Sequence, residues 1–220
     1  MPYFNIVAET SENTVVTEYE PVKKRSDSYQ SEAELEQEFI RLLCEQGYEY
    51  LPIHTEKDLI ANLRKKLEEL NNYEFSDTEW DVFFKNAVAN PNEHIVEKTR
   101  KIQEDNVQVL TRDDGSSKNI TLIDKKNIHN NRLQVINQYA IGTDNGAKHN
   151  NRYDVTVLVN GLPLVHIELK RRGVSIREAF NQINRYQRES FWAGHGLYEY
   201  IQIFVISNGT HTKYYSNSTR

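Results

Sequence analysis

Three residues of this chain could do chemistry together: Asp154, Glu168 and Lys170. Two carboxylates brought to one place make a site for a hard divalent cation. Mg²⁺ takes oxygen ligands and keeps several of its waters. It can polarise a phosphodiester and lower the pKa of a bound water. A lysine beside it can orient that water or stabilise the charge that develops on phosphate. Asp154, Glu168 and Lys170 are therefore read as a catalytic set, with Asp154 and Glu168 as Mg²⁺ ligands. A Glu-x-Lys pair on a polar strand face is common, so the weight comes from its setting.

The setting is a pair of strands. Val155, Val157 and Val159 alternate, as do Val165, Ile167 and Leu169, which predicts strands over residues 153–159 and 164–170. The opposite face carries Asp154 and Thr156 on one strand, and His166, Glu168 and Lys170 on the next. A two-residue turn at Asn160-Gly161 would pair 159 with 162 and turn Asp154 away from Glu168. The apolar pattern demands the other register, because a one-residue slip exposes one strand's apolar face. A three- or five-residue loop, or a bulge, is therefore expected, despite the Asn-Gly signal for a tight turn.

Downstream, Ser175 and Glu178 form a capping-box pattern that opens a helix running to about residue 190. Gln182 and Tyr186, one turn apart, share a face of it. Residues 164–190 hold six lysines and arginines, Arg185 among them, against three glutamates, a local net of +3 in a chain whose net charge is -5. Such a patch suits phosphate. A glutamine amide and a tyrosine can position DNA, but neither suits activating water at neutral pH, since tyrosine titrates near 10.

Upstream, residues 1–30 read as an arm with one short strand. Leu35, Phe39, Leu42 and Leu43 mark a helix from Ser31 that Gly47 stops, and residues 48–53 a short strand. Residues 56–105 read as a helical insertion, with a second capping box at Ser76 and Glu79. Hairpin strands flank Asp113-Asp114-Gly115-Ser116, and a long strand is expected over 133–141. Polar residues 142–152 read as a loop, and strands are expected over 200–207 and 212–215. The fold class is α/β: a mixed β-sheet flanked by helices, with the arm at 1–30 and one domain over 31–220.

Composition narrows the partners. The chain is 38% hydrophobic and 27% charged, with a single cysteine, Cys44, placed in the core by its neighbours Leu42 and Leu43. No apolar run approaches the roughly 18 residues that span a membrane, so no membrane partner is expected, and a lone cysteine, which can form no disulfide within the chain, fits the expected cytoplasmic location. A pI of about 5.8 argues against a protein that grips DNA unaided. The seven histidines show no zinc spacing, and His166 reads as a structural histidine. No Gly-x-x-x-x-Gly-Lys-Ser/Thr phosphate loop is present.

Asp154, then Glu168-Leu169-Lys170, then Gln182-Ile183-Asn184-Arg185-Tyr186 resembles the PD-(D/E)xK nuclease pattern followed by the Gln-x-x-x-Tyr motif of RecB-like nucleases. The run from His166 to Gly173, with residues 177–186 and Phe204-Val-Ile-Ser-Asn-Gly209, looks like the N-terminal region of the R (HsdR) subunit of type I restriction enzymes. The leading motif departs in lacking a proline, since Arg152-Tyr153 precede the aspartate. The resemblance implies Mg²⁺-dependent cleavage of double-stranded DNA, with Gln182, Arg185 and Tyr186 contacting DNA. It implies that Glu36 approaches the metal from the first helix, with Glu32, Glu34 and Glu38 as competitors. Methyltransferase and specificity subunits are the implied partners, and ATP is expected only in a motor part. Two alternatives stay open: a free-standing repair or structure-specific nuclease, and an inactive docking domain of the same fold.

Overall fold

A computed structural model of the chain describes residues 3–9, 15–20, 31–140, 152–186 and 196–217; for 3–9, 15–20, 185 and 186 it describes the backbone alone. The N-terminal residues form an antiparallel hairpin, β1 (Tyr3–Glu9) and β2 (Val15–Glu20), where an arm with one strand was expected. The β-branched run Val15-Val16-Thr17 is its sequence signal. Helix α1 (Glu32–Glu45) opens at Ser31, whose Oγ accepts the Glu34 N–H at 3.2 Å while the Glu34 carboxylate accepts the Ser31 N–H at 2.8 Å. Gly47, at φ 92°, turns the chain into the two-residue strand β3 (Glu49–Tyr50).

The expected helical region follows. It comprises α2 (Glu56–Asn71), α3 (Asp77–Phe83) running into a π-helical turn, and α4 (Ile95–Gln103). The Ser76–Glu79 capping box forms as read. A hairpin of β4 (Val107–Thr111) and β5 (Ser117–Thr121) leads to β6 (Leu133–Ala140), β7 (Arg152–Val159) and β8 (Leu162–Leu169). Helix α5 (Ile176–Tyr186), a 3-10 turn at Leu197–Tyr200, and strands β9 (Ile203–Ser207) and β10 (Thr212–Ser216) complete the order. The apolar run from Tyr200 thus divides into a turn and a shorter strand. The loop expected at 142–152 and the continuation of α5 towards 190 lie almost wholly outside the described residues.

Six strands form one mixed sheet in the order β10-β9-β8-β7-β6-β3. The β8–β9 and β3–β6 pairs are parallel and the others antiparallel. Both faces are covered. On one, Leu35, Phe39, Ile40 and Leu43 of α1 pack on Val135, Val155, Val157, Ile167 and Leu169. On the other, α2 contributes Leu59, Leu63 and Leu67 to the larger core, with Trp80, Phe83, Tyr198 and Phe204. Cys44 points outward and is exposed, contrary to its expected place in the core. Its neighbour Leu42 is also exposed, so only Leu35, Phe39, Ile40 and Leu43 form the inward stripe.

Candidate active site

The site begins with how β7 and β8 are joined. Asn160 and Gly161 both have positive φ, 51° and 84°, which is a two-residue turn of the mirror-image type that suits twisted hairpins. Val159 faces Leu162 and Leu158 faces Pro163, but Val157 faces Val165. Leu164 is the extra residue. The tight turn and the bulge therefore coexist, and the bulge supplies the one-residue shift that the apolar pattern required. Continued past Val155↔Ile167, the register sets Asp154 across from Glu168.

Beyond Val155↔Ile167 the two strands no longer pair. The Leu169 N–H goes instead to Asp154 Oδ2, at 2.9 Å. Glu168 is fully buried, and its Oε1 accepts from Lys170 Nζ at 3.2 Å. Its Oε2 lies 3.4 Å from His166 Nε2 and makes no hydrogen bond of good geometry. The face expected to be polar is thus closed over by the larger core. His166 is fully buried, with the Tyr153 ring edge-on at 5.3 Å and Phe204 at 6.4 Å. Lys170 is half-buried at the rim.

Burial decides the electrostatics. It raises the Asp154 carboxyl to about 7, helped by the Glu168 charge and opposed by the Leu169 amide. It raises Glu168 to about 7 as well, against the pull of Lys170. It lowers His166 to about 4, so that ring is neutral at pH 7. Two acids pushed up in this way can share a proton, or exchange protons for a cation.

The donor set fits Mg²⁺. Two carboxylates meet across adjacent strands, and one buried oxygen lacks a hydrogen bond. Among the described residues no group of three or more His, Cys, Asp or Glu is placed to hold a metal. An all-oxygen pair of carboxylates suits Mg²⁺, which keeps several of its waters.

Among the described residues Glu36 forms no metal-holding group with this pair. Its carboxylate is buried and accepts from Asn137 Nδ2 at 2.6 Å and from Gln138 Nε2. Another α1 carboxylate, Glu32, reaches the end of β8. Its Oε1 accepts the Arg171 N–H at 3.3 Å, and its charge reaches Glu168. Glu32 and Glu36 are one turn apart, so their spacing could not separate them. Asn208, which the sequence reading placed in the Phe204–Gly209 run without a role, donates its amide to Val174 O at 2.8 Å and so ties the end of β9 to the loop after Lys170. Gln182 is half-buried on α5, which packs on β8 and β9. The side chains of Arg185 and Tyr186 lie outside the described residues.

A mixed sheet flanked by helices, with Asp and Glu facing across antiparallel strands and Lys two residues on, is the architecture of the acidic-site class that the motifs resemble. The chain belongs to the family described as type I restriction enzyme R protein N terminus, whose model matches residues 29–220. It is 50% identical over 215 residues to the type I restriction enzyme EcoprrI endonuclease subunit of Escherichia coli, covering 97% of this chain and 67% of that protein. It is 40% identical to the SsaAORF53P endonuclease subunit of Staphylococcus saprophyticus, over 86% of this chain and 20% of that one. Against the HindI endonuclease subunit of Haemophilus influenzae the identity is 30%, over 81% and 18%. The chain thus spans about two thirds of the first relative and about a fifth of the other two.

Proposed function

We propose that this chain is the DNA-cleaving domain of a type I restriction enzyme R subunit and hydrolyses phosphodiester bonds of double-stranded DNA with Mg²⁺. The observation that carries the reading is the meeting of Asp154 and Glu168 across β7 and β8, with Lys170 Nζ 3.2 Å from Glu168. Asp154 and Glu168 would hold the cation, and the Leu169 N–H fixes which Asp154 oxygen turns towards the backbone. Mg²⁺ held there supplies Lewis-acid polarisation of the phosphate and a more acidic water. Lys170, at the rim, orients the attacking water or offsets charge on the phosphate. His166 stays neutral and buried behind Glu168, keeping water from that side of the carboxylate. Gln182, Arg185 and Tyr186 position the DNA strand. Methyltransferase and specificity subunits supply sequence recognition, and ATP is used only by a motor part of the full subunit.

The test is cleavage by the reconstituted complex carrying Asp154→Asn, Glu168→Gln or Lys170→Ala, with melting of each variant measured alongside. Each should lose at least about a hundredfold in rate with the fold retained. Near-wild-type cleavage by any one of them removes that residue from the set.

A further inference from the structure

Strand β6 contains an irregularity opposite the catalytic aspartate. Gln138 has φ 52°, a left-handed conformation that a side chain disfavours inside a strand. Its effect is visible in which core each neighbour enters. Ile136 and Tyr139, three apart, both join the larger core, whereas Asn137 points to the α1 side. Strand β7 follows: Tyr153, paired with Tyr139, joins the larger core, while Val155, paired with Asn137, joins the α1 side. Strict alternation would put Tyr153 and Val155 on one face. The residue between them is Asp154, and there β7 parts from β8.

What holds Gln138 in this conformation is on α1. The Glu36 carboxylate accepts from both the Asn137 and the Gln138 amides. Tyr50 on β3 donates its hydroxyl to Asn137 Oδ1 at 2.9 Å, which leaves the Asn137 NH₂ aimed at Glu36. We propose that Glu36 is a positioning residue: through Asn137 and Gln138 it holds the kink of β6 that peels β7 from β8 and turns Asp154 into the site. The catalytic importance of that position rests on the nuclease reading above; the mechanical link does not.

The experiment is a double-mutant cycle on the full 220-residue chain with Glu36→Ala, Gln138→Gly and both together. Glycine adopts positive φ freely, so Gln138→Gly should hold the kink without Glu36. Two readouts are used: the ¹⁵N–¹H signal of Leu169, whose N–H bonds Asp154, and Mg²⁺ affinity by calorimetry. Glu36→Ala should shift the Leu169 signal and weaken Mg²⁺ binding about tenfold, the scale of an outer-shell loss. The double variant should return both towards wild type. If Glu36→Ala does not fold, Glu36→Gln, which keeps one acceptor, replaces it in the same cycle. An unmoved Leu169 signal in the Glu36 variant overturns the proposal. So does a weakened Mg²⁺ affinity that Gln138→Gly leaves unrepaired, which would make Glu36 a ligand. A wild-type chain that binds no Mg²⁺ defeats the nuclease reading instead, and the Leu169 signal alone then decides the positioning claim.

Discussion

Asp154 and Glu168 titrate near 7 when folded, whereas an unfolded carboxyl titrates near 4. Between about pH 4 and pH 7 the folded chain therefore binds more protons than the unfolded one, and metal-free stability falls as the pH rises through that window. On the proposed reading Mg²⁺ would compete with those protons and relieve the repulsion that remains when they leave. Millimolar Mg²⁺ should then raise the melting temperature more at pH 8 than at pH 6. An equal rise at both, or none, would separate the acidic pair from cation binding. Asp154→Asn should remove most of the pH-dependent difference.

At the scale of the elements, the site is set by one turn and one bulge. Gly161 is required twice: its φ is 84°, and a Cβ there would lie 2.6 Å from the Leu63 Cα of α2. Gly161→Ala should destabilise the domain by at least about 2 kcal/mol, read by denaturant unfolding. Deleting Leu164 should do something different. It removes the extra residue and leaves a regular hairpin in which Val157 still pairs with Val165 and Asp154 still faces Glu168. Cleavage should persist wherever the chain folds, and a folded Leu164 deletion that no longer cuts would refute the register argument. Much of this was legible in the sequence. The alternation of Val155, Val157, Ile167 and Leu169 demanded an odd offset, and Asn160-Gly161 announced a tight turn. That both hold was not legible, because Leu164 is an ordinary strand residue and carries no mark of a bulge. The burial of the face that carries Asp154 and Glu168 was not legible either, since Tyr198 and Phe204 close it from thirty or more residues further on. Nor could spacing show that the Glu36 carboxylate is taken by Asn137 and Gln138, which depends on how α1 crosses β6.

Across the whole molecule, the proposed DNA substrate must be held by a chain of net charge -5. Arg171 and Arg172 are exposed on the loop that leaves β8, beside Lys170. Replacing both by glutamine should weaken DNA binding and reduce the slope of log affinity against log salt by about two, with melting unchanged. An unchanged salt slope would place the DNA elsewhere. Gln182→Ala should slow cleavage strongly and leave Mg²⁺ affinity intact, since α5 lies after the ligand strands. Equal loss of both would move Gln182 from the DNA to the metal.

The acidic pair itself is tested most directly by titrating Mg²⁺ into the wild-type chain and into Asp154→Asn and Glu168→Gln, with heat as the readout. One saturable site in the wild type, lost or weakened at least about tenfold in each variant, is the predicted result. Wild-type binding that survives both substitutions, or no binding at millimolar Mg²⁺, would contradict a cation centre built from Asp154 and Glu168.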